Sequence, residues 1–195
     1  QEDDLVKKYL FKLNDGEYIE AVVMHHDYGS SICVSSEVGC NMACKFCESG
    51  RQKKVRNLEA YEIVEQILVI EHDLQIRLSS VVIMGIGEPL DNYENIIKFI
   101  KIINDPKGIA IGARHITLST CGLVPKIYEL AELSLQINLA ISLHASNNEL
   151  RNKLMPVNKV YNLDNLLEAI KDYLQRTGRR VTIEYVMLDN VNDSK

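Results

Sequence analysis

The sequence predicts an α/β fold, an incomplete (β/α) barrel of the TIM type preceded by a β-hairpin, and three observations predict it. Runs of β-branched residues alternate with longer stretches whose apolar residues recur at helical spacing, the order that specifies a parallel sheet with crossover helices. The amino-terminal stretch instead sets two alternating runs around an Asn14-Asp15-Gly16 turn, the pattern of a hairpin. The 195 residues, 46% hydrophobic and 25% charged, have the composition of one globular unit, long enough to bury about 70% of the surface an unfolded chain exposes. The expected division is a hairpin extension over 1–29 and a partial barrel over 30–195, with the carboxyl-terminal part of the barrel missing.

The hairpin strands are residues 9–13 and 18–24, and residues 31–35 supply the next strand. After a cysteine-bearing loop, Asn57 is placed to cap a helix in which Ile63, Ile67, Ile70 and Leu74 share one face. Residues 80–84 form a continuous apolar run, as expected of a parallel strand buried on both sides, and end in Gly85-Ile86-Gly87-Glu88-Pro89. A loop at the carboxyl end of such a strand is a ligand position. The alternation continues with a helix over 93–104, a strand over 115–120, a helix over 124–133 and a strand over 136–142. An irregular segment, a helix around 163–174 and a strand over 180–187 complete it.

Composition excludes several classes. No apolar stretch approaches the roughly 18 residues of a membrane span, and the opening Gln-Glu-Asp-Asp lacks the regions of a secretory signal. Both point to a cytoplasmic protein with no membrane partner. Five cysteines, three of them clustered, fit a reducing compartment and a metal site better than a disulfide framework. The net charge of −5 opposes nucleic-acid binding by the surface as a whole, because phosphate contact depends on Lys and Arg. The densest basic run, Arg51, Lys53, Lys54 and Arg56, follows the cysteines directly and reads either as a positive patch beside a metal site or as a solvated loop.

Cys40, Cys44 and Cys47 form a C-x3-C-x2-C run, one thiolate short of closing a tetrahedral site. An iron-sulfur cube wants one ligand per iron, so three cysteines leave one iron open for a small molecule. A structural zinc site would need a fourth donor, for which His25 or His26 is available, and a disulfide would leave one thiol over.

With these motifs in order, the chain resembles the radical S-adenosylmethionine (SAM) enzymes, and among them the RlmN and Cfr type adenosine methyltransferases that act on ribosomal RNA. The resemblance runs from Cys33-Val-Ser-Ser-Glu-Val-Gly-Cys40 into the cysteine triplet. It continues through Met84-Gly-Ile-Gly-Glu-Pro-Leu90, Thr117-Leu-Ser-Thr120, Ile141-Ser-Leu-His144, Leu154-Met-Pro156 and Thr182-Ile-Glu-Tyr185. Arg56-Asn-Leu58 and Val191-Asn-Asp193 agree with RlmN-type members as well.

The resemblance implies a [4Fe-4S] cluster on Cys40, Cys44 and Cys47, with SAM chelating the open iron. It implies Gly87 and Glu88 at the cofactor's amino-acid end, where a carboxylate suits an ammonium and glycine permits close approach. Ser119, Ser142, Leu143 and His144 match further cofactor contacts, Cys33 matches a resolving cysteine, and Glu20 matches the carboxylate assigned as proton acceptor. In the implied scheme one SAM methylates a separate cysteine and a second generates the radical that activates this methyl group. The methylene adds to adenine, and the resolving thiol then frees the base, leaving a disulfide. The implied target is adenine C2 of 23S rRNA, with transfer RNA as a further candidate, C8 as the Cfr-type alternative and an electron-donor protein as partner.

The match is incomplete. The family's methyl-carrying cysteine, its amino-terminal helical domain and a late cofactor-binding asparagine are not present, and Glu48 adds a negative charge where the family commonly has a small residue. The expectation is a fragment that does not complete turnover by itself. The alternatives are a shortened homologue that binds RNA without methylating it and a zinc-stabilised binding module.

Overall fold

The computed structural model describes residues 5–133 and 135–193. Strands β1 (Val6–Lys12) and β2 (Tyr18–His26) form an antiparallel hairpin with Lys12 opposite Tyr18. Alternation along β2 buries Ile19, Ala21 and Val23 on one face and sets Glu20 and Val22 on the other. Strand β3 (Gly29–Val34) pairs antiparallel with β2, so the hairpin continues the main sheet. The two-residue strands β4 (Glu37–Val38) and β5 (Arg56–Asn57) pair across the base of the cysteine loop.

From there strands and helices alternate as α1 (Ala60–Leu74), β6 (Leu78–Ile83), α2 (Tyr93–Asn104), β7 (Ile116–Thr120), α3 (Val124–Glu132) and β8 (Asn138–Ser142). Helices α4 (Asn148–Leu154) and α5 (Leu163–Thr177) lead to β9 (Val181–Glu184). The seven-stranded sheet has the order β1-β2-β3-β6-β7-β8-β9, and β3, β6, β7, β8 and β9 are all parallel. This is the expected partial barrel, and every parallel strand delivers its carboxyl end to the same side.

The core lies between sheet and helices. Val81, Ile83, Ile116, Leu118, Leu139 and Ile141 are buried against Ile63 and Ile67 of α1, Ile100 of α2, Ile127 of α3 and Leu166 of α5. Each such side chain contributes about 1.5–3 kcal/mol through apolar burial. A second, smaller cluster of Cys121, Ala145, Leu154, Met155 and Val157 packs under Met42, Cys44 and Phe46 of the cysteine loop.

Three local readings need correction. Asn57 does not cap α1; it lies in β5, and Glu59 caps the helix through a reciprocal box in which the Glu62 carboxylate accepts from Glu59 N at 2.9 Å. The irregular segment contains α4, seven residues that are too short to show periodicity and are started by the Asn147 side chain accepting from Leu150 N. The last strand stops at Glu184, and the residues after it turn back around Asn192. Among the described residues no helix is long and apolar enough to cross a membrane.

Candidate active site

The carboxyl ends of β6, β7, β8 and β9, together with the cysteine loop, enclose a cavity of about 530 Å³. Cys40, Cys44, Cys47, Gly87, Glu88, Ser119, Ser142 and His144 all line it, while Leu143, Cys33 and Glu20 do not. Met42, Phe46, Met84 and Met155 make the remaining wall largely apolar.

The cysteine loop is docked by its backbone. Cys40 N donates to Gln52 O at 2.9 Å, Cys47 N to Cys44 O at 3.2 Å and Lys45 N to Leu154 O at 2.8 Å. Gly39, at φ +74°, lies so close to the Lys53 carbonyl that a Cβ would collide with it. Phe46 packs edge-on to His144, with ring centroids 4.7 Å apart. Burial pushes the Cys40 thiol up to about 11 and Cys44 to about 12, so ligation at neutral pH releases protons as the metal binds.

The donor set suits a cluster better than a single ion. Among the described residues no three His, Cys, Asp or Glu side chains converge closely enough to hold a single metal ion. His25 and His26 lie toward the opposite end of the sheet, bonded to Ser30 and Ser31. Three clustered thiols lining a shared cavity fit an iron-sulfur cluster with one position left for a small molecule, and neither His25 nor His26 is placed to add a fourth zinc donor.

Gly87 and Glu88 are shaped from beneath by Glu37. Gly87 adopts φ +107°, and a Cβ there would lie 2.6 Å from Glu37 Cβ and Cγ. Glu37 Oε2 accepts from Glu88 N at 2.9 Å, and Glu37 is itself paired with Lys54. The buried Glu88 carboxylate accepts from Leu90 N at 3.0 Å and from Cys121 N at 2.8 Å. Burial pushes the Glu88 carboxyl up, opposed by the Cys121 amide, the Thr120 hydroxyl, the Cys121 thiol and the Leu90 amide. These four donors match the roughly four lone-pair directions of a carboxylate, so a ligand cation would take the place of the Thr120 hydroxyl or the Cys121 thiol.

Ser119 and Ser142 converge on Glu184, whose Oε2 accepts from them at 2.9 and 3.1 Å. His144 sits at φ +56°, and its Nδ1 accepts from Val186 N at 3.0 Å, which leaves the ring proton on Nε2. Burial, with the nearby charge of Arg151, lowers the imidazole to about 4, so it is a neutral donor at physiological pH. Leu143 serves through its backbone, its amide donating to Glu184 O and its carbonyl accepting from Arg151.

Cys33 is paired with Val22 on β2 and with Val82 on β6. Its thiol is pushed up to about 11 by burial, against a hydrogen bond from Met84, and the Glu184 charge adds to the rise. Glu20 shares the sheet face of Val22 and sits at the cavity end of the sheet, since Ser35 Oγ donates to its carbonyl. Its carboxylate pairs with Lys8 at 2.8 Å. All five cysteines are free.

The basic run is not a free positive patch. Arg51 pairs with Glu48, Lys54 with Glu37 and Asp91, and Arg56 with Asp15 and Glu62, which leaves Lys53 exposed. Glu48 and Glu62 are near in sequence, but Asp15, Glu37 and Asp91 come from distant segments, invisible to a reading of the run alone.

Sequence reasoning assigned no role to three residues that organise the site. Arg151, fully buried, donates to Cys121 O (2.7 Å), Ser142 O (3.1 Å), Leu143 O (3.1 Å) and Asn158 Oδ1 (3.1 Å), joining the ends of β7 and β8. Asn192 donates to His144 O and Val186 O, and accepts from Leu188 N. Glu184 had a signal, since it stands in the Thr182–Tyr185 motif; Arg151 had none.

Residues 34–195 match the family model of the radical SAM superfamily. The chain is 57% identical over 198 residues to the probable dual-specificity RNA methyltransferase RlmN of Spiroplasma citri, covering 100% of this chain and 57% of that protein. It is 58% identical over 187 residues to the protein of the same name from Acholeplasma laidlawii, covering 96% and 55%. The chain therefore spans little more than half the length of these curated relatives. The crystal structure of a radical SAM methyltransferase from Sphaerobacter thermophilus superposes with a TM-score of 0.96 at 43% identity, covering 100% of this chain and 58% of that one. Streptococcus suis SuiB bound to S-adenosylmethionine shares the fold, with a TM-score of 0.58 at 22% identity over 81% of this chain and 34% of that one. Three clustered thiols at the mouth of a parallel α/β sheet, matched across most of the chain, mark this protein as a member of the radical SAM superfamily.

Proposed function

We propose that this chain carries the cofactor-binding part of a radical SAM methyltransferase that modifies adenine C2 of 23S rRNA, with transfer RNA as a second substrate. One observation carries the reading: Cys40, Cys44, Cys47, Gly87, Glu88, Ser119, Ser142 and His144, from four separate stretches of the chain, line one cavity. C2 rather than C8 is supported by the RlmN-type motifs Arg56-Asn-Leu58 and Val191-Asn-Asp193 and by the similarity to proteins named RlmN.

Cys40, Cys44 and Cys47 would hold a [4Fe-4S] cluster, which would supply the one-electron reduction of SAM once charged by a donor protein. Glu88 accepts from the cofactor's ammonium, and Nε2–H of the neutral His144 donates to an oxygen acceptor of the cofactor. Ser119 and Ser142, oriented by Glu184, face the cofactor's hydroxyl groups. Met42, Phe46, Met84 and Met155 exclude water from the reacting atoms. Cys33 serves as the resolving thiol, and Glu20, diagonal to it on the same sheet face, takes the substrate proton. Cys121 is committed to Glu88, so the methyl-carrying cysteine comes from outside these residues. An RNA substrate and five unpaired thiols support a cytoplasmic setting.

Anaerobic reconstitution with iron and sulfide, followed by electron paramagnetic resonance (EPR) of the reduced protein, tests the reading. A [4Fe-4S] signal that changes on adding SAM is expected. Zinc uptake with no cluster would overturn it.

A further inference from the structure

The basic run beside the cysteines is neutralised, but a second group of cations is not. At the amino-terminal ends of the parallel strands, away from the active-site cavity, Arg114, Asn138, Arg179 and Arg180 line a separate cavity of about 450 Å³. Arg114 leads into β7, Asn138 opens β8, and Arg179 and Arg180 lead into β9, so three adjacent strands deliver them to one place. No carboxylate lines this cavity, and among the described residues none of the three arginines forms an ion pair.

Arg179 is held in position. It donates to Asn138 Oδ1 at 2.8 Å, and Asn138 Nδ2 donates to Arg114 O at 2.7 Å. Its Nε–H is buried without a partner. An orphaned buried donor is unfavourable, and it marks a guanidinium that the protein leaves short of acceptors at the wall of the cavity. The planar guanidinium fork matches phosphate oxygens, and Arg114 and Arg180 are exposed beside it.

We propose that Arg114, Arg179 and Arg180 form a phosphate-binding site that grips the RNA backbone about 13 Å from the active-site cavity, the length of β8. The inference rests on the RNA reading above. A backbone contact at this distance fixes the orientation of a large folded RNA and leaves the cavity to a single base.

The test is fluorescence anisotropy of the cluster-reconstituted chain with a labelled RNA hairpin that presents an unpaired adenine, between about 50 and 200 mM salt. The double variant R114Q/R180Q is expected to bind roughly tenfold more weakly at the lowest salt. The slope of log K against log salt should become shallower by about 0.7–0.9 for each phosphate that the variant no longer neutralises. R114K/R180K should restore the slope, which a purely structural role for these arginines would not produce. Equal affinity and slope in the Gln variant would overturn the proposal. So would binding of inorganic phosphate that the Gln variant loses while RNA affinity is unchanged, which would make the ligand a free anion. If the wild type binds no RNA yet its EPR signal still responds to SAM, the RNA grip fails alone. A wild type without a SAM response would instead refute the proposed function, whatever the salt slope.

Discussion

Replacing Arg151 by Met tests whether the buried guanidinium holds the active-site end of the sheet together. The substitution keeps a long unbranched apolar stem and removes hydrogen bonds to Cys121 O, Ser142 O, Leu143 O and Asn158 Oδ1. A net value of about 1 kcal/mol per bond gives about 4 kcal/mol. Orphaning three buried carbonyls adds to this loss, and relieving a desolvated cation subtracts from it. For 195 residues at about 2 cal/mol/K of unfolding entropy each, the melting temperature should fall by about 10 °C. Anaerobic circular dichroism melts of the reconstituted wild type, R151M and R151K measure it. Lysine keeps the charge but cannot reach four acceptors with a planar fork, so R151K should recover less than half of the loss. An R151M protein melting within about 2 °C of wild type would refute the assignment of Arg151 as the latch between β7 and β8.

Two further predictions concern the same cavity. His144 has an imidazole lowered to about 4 by burial and by the Arg151 charge, whereas the unfolded chain takes up that proton near pH 6.5. Its contribution to stability is therefore complete above pH 6.5 and is lost, by about 3 kcal/mol, as pH falls to 4; urea titrations of wild type and H144Q should show that part of the slope only in the wild type. Gly87→Ala places a Cβ 2.6 Å from Glu37 at φ +107°, and should weaken SAM binding roughly tenfold in calorimetric titration while costing about 1–3 kcal/mol of stability. Gly16→Ala, at φ +91° with nothing within 4 Å, should carry the backbone strain alone and leave SAM binding unchanged.

The sequence by itself determined the α/β class, the order of strands and helices, and the residue types that come together at the strand ends. It could do so because burial leaves a periodic imprint: β6 buries Val81 and Ile83, though Val82 between them is only half-buried and Met84 is exposed, and one-sided burial sets Ile63, Ile67 and Ile70 at helical spacing. The cysteine triplet was legible because its ligand spacing is local. What depends on contacts between distant segments was not. Glu37, Asp91 and Asp15 consumed a basic run that looks free in one dimension, whereas the Glu59–Glu62 box that displaced Asn57 as the cap of α1 is itself local. The role of Arg151 exists only because the carbonyls of Cys121, Ser142 and Leu143 meet around it, and the arginine pocket only because β7, β8 and β9 lie side by side. Periodicity records whether a side chain is buried, but only the tertiary structure decides which charge it meets there, because electrostatic pairing depends on distance in space and leaves no regular trace along the chain.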